Sequence, residues 1–95
     1  MSKNLHIATI IEIAGNGDIY PSIHHGATPE ACCASVMRHL KVESEDRELS
    51  FGASEEAVLQ AVRHGNQSSG PLDLRCDSRG FGFEFYLSTE VVSLQ

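Results

Sequence analysis

The hydrophobic and polar positions of this chain change their period along its length, and each change marks a predicted element. Near the N-terminus one set of alternate positions is mostly apolar: Leu5, Ile7, Thr9, Ile11 and Ile13. The intervening set is His6, Ala8, Ile10, Glu12 and Ala14. A period of two with many β-branched side chains predicts a strand. Residues 15–18 (Gly-Asn-Gly-Asp) then predict a tight turn, and residues 19–24 predict the returning strand. Because Pro21 cannot donate to a ladder, we expect this strand to be short or at a sheet edge.

Two later segments show the period of an amphipathic helix. In the first, Thr28 predicts the N-cap and Pro29 the first helical position. Its apolar stripe follows helical spacing: Cys33, Val36, Met37 and Leu40. In the second, Ser54 predicts the N-cap and Gly65 the end. Its apolar residues are Ala57, Val58, Ala61 and Val62. A short strand is predicted between the helices at residues 48–51.

The C-terminal third alternates again and predicts a second hairpin. Its first strand carries Leu72, Leu74 and Cys76 on one face, and residues 77–80 predict a turn in which Gly80 is left-handed. After the turn the same face carries Phe81, Phe83, Phe85 and Leu87. We expect the three phenylalanines to pack beneath the helices.

The resulting order, β-β-α-(β)-α-β-β, predicts an α+β fold. We expect two layers, with an antiparallel sheet of four to five strands from two hairpins and two helices on one face. A chain of 95 residues is expected to form a single domain over residues 1–95.

The negative charge is concentrated in one segment. The chain has a formal net charge of −6, and residues 43–56 contain six carboxylates: Glu43, Glu45, Asp46, Glu48, Glu55 and Glu56. Arg47 alone offsets them. Glu55 and Glu56 suit the first turn of the second helix, whereas the other four are predicted on the connection between the helices. Such a segment is often just solvated. Alternatively, it presents an anionic face to a basic groove on another protein.

Composition excludes several classes of partner. The seven basic residues are scattered, which argues against direct binding to nucleic acid. No apolar run approaches the ~20 residues that span a bilayer, so no membrane association is expected. The three cysteines include the adjacent pair Cys32 and Cys33, which is a poor disulfide framework and suits a reducing compartment. We expect a cytoplasmic protein.

Histidines and cysteines near the first helix are the candidates for chemistry. Neighbouring cysteines on a helix point about 100° apart, so Cys32 and Cys33 cannot easily hold one ion, and no metal or cofactor is predicted. Cys33 is expected in the core and Cys32 half-exposed. A Cys32 thiolate at a helix start, near His24 or His25, would be a nucleophile, but no hydrolase signature surrounds it. No enzymatic activity is predicted.

Three classes of function therefore compete. The first is a small acidic inhibitor that presents the anionic loop to a basic, nucleic-acid-handling site on a partner protein, with Tyr20 and Tyr86 as anchors on the strand faces opposite the core residues. By analogy of size and charge it would act as anti-CRISPR, antitoxin or immunity proteins do, as a nucleic-acid mimic in the inhibition of phage defence. The second is a scaffold module that forms a homodimer through a sheet edge, with Ile10 or residues 91–92 adding apolar surface. The third is a metal- or thiol-dependent protein using Cys32 with His24 or His25.

Overall fold

The computed structural model describes residues 3–94, which begin with the predicted hairpin. Strand β1 (Lys3–Ile13) pairs antiparallel with β2 (Ile19–Gly26). In the turn the Ala14 N–H donates to the Asp18 carbonyl at 2.8 Å. Gly17 has a φ of +92°, a conformation that glycine adopts without steric cost. The predicted turn is confirmed.

Both helices begin where their caps predict. Helix α1 (Pro29–Arg47) is capped by the Thr28 hydroxyl, and α2 (Glu55–His64) by the Ser54 hydroxyl. Each hydroxyl accepts a backbone N–H at 3.1 Å. Helix α2 ends at Gly65 as expected, whereas α1 continues well past its apolar stripe, through the acidic residues. Neither helix in the described part of the chain is long and apolar enough to cross a membrane.

Four further strands, three of them only two residues long, complete the fold. They are β3 (Ser50–Phe51), β4 (Leu72–Asp73), β5 (Cys76–Asp77) and β6 (Glu84–Leu94). The main sheet has the order β2-β1-β6-β4 with antiparallel pairing, and β3 pairs with β5 in a separate two-stranded sheet. Strand β2, which contains Pro21, is therefore an edge strand as predicted. The predicted α+β fold, with its order of elements, is confirmed.

The core lies between the main sheet and the helices. Its largest fully buried side chains are Phe85, Ile10, Leu74 and Leu87. Helix α1 approaches β2 very closely at Gly26, where a Cβ atom would lie 2.6 Å from the backbone nitrogen of Cys32. Glycine is required there because any side chain would push the helix away from the sheet.

The helices cover the face of β1 that carries His6, Ala8 and Ile10. The His6 Nδ1 donates to the carbonyl of Val62 in α2 at 3.2 Å, and small Ala8 lets the helices sit close to the strand. Ile10 is only 1% exposed, so the prediction that it adds apolar surface for self-association is wrong.

The C-terminal hairpin is shorter than predicted. Strand β4 pairs with β6 over only two residues, and the chain then crosses to pair with β3. Residues 78–83 form a loop in which the Ser78 hydroxyl accepts the N–H groups of Gly82 and Phe83. Phe85 is buried, but Phe83 is half-buried and Phe81 is 74% exposed. The prediction that all three rings pack beneath the helices is therefore wrong. Gly80 has the expected positive φ, +93°.

Candidate partner-binding site

A groove opens between β2 and the C-terminal half of α1, on the helix-covered side of the sheet. Its volume is about 530 Å³. Ile10 and the rings of Tyr20, Phe83 and Phe85 form its apolar walls. Its polar residues are Glu12, Ser22, His39, Glu43 and Arg47. The groove therefore combines aromatic walls with ionised groups, a composition typical of binding sites.

Arg47 organises the charges of the groove. Its guanidinium donates to both carboxylate oxygens of Glu12, at 2.8 and 2.9 Å, and to Glu43 at 2.7 Å. The same group lies 4.6 Å from the centre of the Phe83 ring, within cation–π range. The hydrogen bonds to Glu12 hold the pKa of Arg47 well above its ordinary value. Two carboxylates against one guanidinium leave this cluster with a net charge of −1.

Two elements of secondary structure place this cluster. Glu12 lies near the end of β1, and Arg47 is the last residue of α1, where the helix dipole favours a cation. Glu43 lies one helical turn before Arg47, the spacing at which side chains meet on a helix surface. The long-range pair thus joins the end of the helix to the sheet.

A pair of histidines forms the neighbouring part of the groove wall. The ring of His39 lies edge-on to that of His24, with 5.2 Å between centroids, and the His39 Nε2 is 4.0 Å from Glu43. The His24 ring bridges the hydroxyls of Ser22 and Ser35 at 3.0 and 2.7 Å. Burial, and then the neighbouring His39, lower the pKa of His24. The neutral ring is therefore the form that the fold favours.

The acidic residues next to the groove are helical, which corrects their predicted place on a connection between helices. Glu45 and Asp46 are exposed in the last turn of α1, and Glu48 is its left-handed C-cap with a φ of +55°. We call these three residues the acidic helix end. Arg79 lies 3.9 Å from Glu48, but a pair this exposed contributes little. Helix C-termini carry negative partial charge, so the dipole does not stabilise these carboxylates.

The remaining two acidic residues lie elsewhere. Glu55 and Glu56 occupy the first turn of α2, where the helix dipole stabilises them, as the sequence predicts. The Glu55 carbonyl is 4.0 Å from the Cys33 sulfur. Cys33 and Glu45 are separated by about 18 Å along the α1 axis at 1.5 Å per residue. The six predicted carboxylates thus form two separate groups.

The two predicted tyrosine anchors lie on opposite faces of the sheet. Tyr20 lies directly opposite Glu12 in the hairpin, so its side chain is on the helix-covered face of the sheet. The prediction that Tyr20 lies on the face opposite the core residues is therefore wrong. It is 54% exposed, borders the groove and donates to Asp18 at 3.4 Å. Tyr86 lies on the other face as predicted and donates to Glu84 at 2.8 Å. This hydrogen bond raises the pKa of Tyr86.

Sequence reasoning missed most of the groove, because only Tyr20 and Glu43 of its lining were predicted as site residues. The polar and aromatic residues missed include Glu12, His39, Arg47 and Phe83. Glu12 could have been recognised from the sequence, because a carboxylate inside an apolar strand needs a cationic partner. The sequence marks Arg47 only as the base within the acidic segment. Its pairing with Glu12 spans 35 residues and follows from no local pattern.

The structure does not bring a reactive cysteine together with the histidines. Cys32 is fully buried, so the predicted half-exposed position was wrong, and burial raises the pKa of its thiol. Its sulfur faces the backbone carbonyl of His24 at 3.9 Å. His25 pairs with Ile7 on the other face of the sheet. Within residues 3–94, no group of three or more His, Cys, Asp or Glu side chains is arranged to hold a metal ion.

The arrangement of the groove suits a cationic group. The net negative charge of its carboxylate cluster attracts a guanidinium or ammonium ion, and aromatic faces add cation–π attraction.

No family model, curated protein or solved structure matches this chain.

Proposed function

We propose that this protein is a small non-enzymatic inhibitor that binds a basic site on a partner protein through the acidic helix end and the adjoining groove. One observation carries the proposal: a concave site of net charge −1 with aromatic walls lies at the C-terminal end of α1, and three exposed carboxylates that the helix itself does not need lie in or directly after its last turn. The exposed carboxylates would steer a basic surface toward the molecule, and the groove would then fix its orientation.

An arginine side chain of the partner is the best-suited occupant of the groove. Its planar guanidinium would stack on the ring of Tyr20 and donate to the remaining lone pairs of Glu43. Arg47 is already bound to both groove carboxylates, so it holds them in place. We therefore propose Tyr20 and Glu43 as the recognition residues in the groove. Tyr86 lies on the opposite face and takes no part in this site.

The proposed partner is a nucleic-acid-handling protein in the cytoplasm. Such proteins carry basic grooves for the phosphate backbone, and a row of carboxylates mimics that backbone. Anti-CRISPR proteins, antitoxins and immunity proteins are the analogous classes of inhibitor, and the analogy is one of size and charge. Glu55 and Glu56 would add to the overall negative field without direct contact.

Affinity capture from the native cytosol, followed by mass spectrometry, tests the proposal. The E45K/D46K variant should lose the captured partner, as should the E45K/D46K/E48K variant. The matched control, E55K/E56K, changes the net charge by the same amount as E45K/D46K but lies at the start of α2. It should retain most of the capture.

Two further measurements sharpen the test. Capture should weaken as salt rises, because exposed charges are screened beyond about 10 Å at 0.1 M ionic strength. Tyr20→Ala and Glu43→Gln should each reduce capture while circular dichroism shows an intact fold. Capture that withstands both charge reversal and high salt would refute the proposal.

A further inference from the structure

The loop at residues 78–83 presents an aromatic ring to solvent beside the groove. Phe81 is 74% exposed, and its ring is stacked on that of Phe83, with 6.4 Å between the centroids and 29° between the planes. Phe83 itself lines the groove, where the guanidinium of Arg47 lies 4.6 Å from the centre of its ring. The apolar surface of the groove therefore continues outward, through Phe83, to Phe81.

Hydrogen bonds within the loop hold Phe81 in this position. The Phe81 N–H donates to the Ser78 carbonyl at 3.2 Å, and the Ser78 hydroxyl accepts from Gly82 and Phe83 at 3.0 and 3.1 Å. The loop also packs on the turn between β1 and β2, since a Cβ atom at Gly15 would lie 2.6 Å from the Phe81 carbonyl oxygen. The ring is thus carried by a fixed backbone, and a partner that covers it would have little of the chain to order.

The same loop connects the groove with the acidic helix end. Arg79, near the start of the loop, lies 3.9 Å from Glu48, and Phe83, at its end, lines the groove. Phe81 lies between these two residues in the loop. A partner that contacts both the groove and the acidic helix end therefore passes close to the Phe81 ring.

The chemistry of Phe81 differs from that of the groove. The groove cluster has a net charge of −1 and suits a cation, whereas Phe81 offers hydrocarbon surface in a loop that already contains the cation of Arg79. Contact with an exposed phenylalanine is stabilised by the removal of its apolar surface from water. An aliphatic side chain is therefore the occupant that Phe81 favours.

We propose that the partner's binding segment carries an aliphatic side chain close in sequence to its arginine. Phe81 and Phe83, which we call the apolar subsite, bind the aliphatic side chain while the arginine occupies the groove. This inference rests on the proposed function, because it adds a second subsite to the same interface. Phe81 then acts as an aromatic anchor of the kind that contributes most of the energy of an interface.

Titrations of short acetylated peptides into the full chain, followed by NMR chemical shifts, test the proposal. Each probe peptide carries one arginine and, at a series of spacings from it, one leucine. Matched peptides have serine or lysine in place of leucine, or the neutral citrulline in place of arginine. At the best spacing, the arginine–leucine peptide should bind about fivefold more tightly than the arginine–serine peptide, because part of its leucine side chain leaves water on Phe81.

A variant of the loop assigns this preference to Phe81. Phe81→Ala should remove the preference for leucine over serine and retain the preference for arginine over citrulline. Ile23→Ala is the matched control, at an aliphatic residue that is 70% exposed on the face of the sheet away from the helices. It should retain both preferences. Both positions are exposed, so both variants should fold, which far-UV circular dichroism checks.

The outcomes separate this inference from the proposed function. Equal binding of the leucine and serine peptides, with arginine still preferred over citrulline, would overturn the apolar subsite and leave the proposed function standing. Tightest binding by the lysine peptides would overturn it in favour of a second cationic subsite. A leucine preference that persists in Phe81→Ala would overturn the role of Phe81. If arginine is not preferred over citrulline, or no peptide binds, the groove is not a site for the partner's arginine, and the apolar subsite is refuted with it.

Discussion

Glu12 and Arg47 are joined by two parallel hydrogen bonds, at 2.8 and 2.9 Å, across 35 residues of sequence. The pair links the end of β1 to the end of α1 and closes one side of the groove. A bidentate contact of this kind uses the planar fork of the guanidinium, which the ammonium of lysine cannot reproduce. Arg47 therefore has a role in the position of α1 as well as in the charge of the groove.

We expect Arg47→Lys to lower the free energy of unfolding by about 1 kcal/mol, and Arg47→Met by about 2 kcal/mol, since methionine leaves the Glu12 carboxylate without its partner. Denaturant unfolding measures both values. Arg63→Lys is the control, because Arg63 makes a more exposed pair with Glu30 at 3.3 Å and its loss should cost less than about 0.5 kcal/mol. Equal losses at the two arginines would contradict a special role for Arg47.

The histidine pair predicts a stability that depends on pH. Burial lowers the pKa of His24 below its ordinary value of 6.5, so the unfolded chain binds a proton at this residue more readily than the folded one. The contribution of neutral His24 to the free energy of unfolding is therefore complete above pH 6.5 and decreases as the pH falls below that value. Unfolding measured on both sides of this pH should show the fall, and His24→Gln should reduce it. His64→Gln, which leaves His24 in place, should retain the fall; a profile unchanged by His24→Gln would rule out this assignment.

Asn66 extends the edge of the sheet with its side chain. Its amide nitrogen donates to the Leu87 carbonyl and its amide oxygen accepts from the Thr89 N–H, both at 2.8 Å, and the residue is 7% exposed. Asn66→Ala leaves the buried N–H of Thr89 unpaired and removes one of the donors to the Leu87 carbonyl, which also pairs with Leu72 in the ladder, so we expect a loss of about 1–3 kcal/mol in the free energy of unfolding.

Two further variants test this assignment of Asn66. Asn66→Asp should not recover the loss, because a carboxylate cannot donate to Leu87. Gln67→Ala removes only an exposed hydrogen bond to Glu90 and should cost less than about 0.5 kcal/mol. Thermal unfolding that barely distinguishes Asn66→Ala from Gln67→Ala would contradict the assignment.

The elements that depend on local chemistry were predicted from sequence. Thr28 and Ser54 start helices because a hydroxyl satisfies a free backbone N–H in any context, and Pro21 forces an edge position because it lacks an N–H. These effects act within a few residues. They are therefore visible in the order of amino acids alone.

The features that depend on distant contacts were not predicted. The end of α1 is set partly by the pairing of Arg47 with Glu12, so the apolar stripe underestimates its length. Both faces of β1 contain isoleucine, and the covered face is decided by the close fit of α1 at Gly26 and by the hydrogen bond of His6 to α2. The groove itself needs both of these outcomes, and of the residues that line it only Tyr20 and Glu43 were predicted from the sequence.

The three thiols should react slowly in the folded protein, which tests the thiol-dependent alternative. Cys32 and Cys33 are 0% and 4% exposed and Cys76 is half-buried, and burial is the largest cause of the raised pKa of all three. Since the thiolate is the reactive form, each cysteine is both shielded and protonated near neutral pH. A thiol-labelling reagent should therefore modify Cys76 first, and all three cysteines only after unfolding. Native Cys76→Ser should then be almost unreactive, whereas rapid labelling of Cys32 in that variant would restore the case for a nucleophile beside His24.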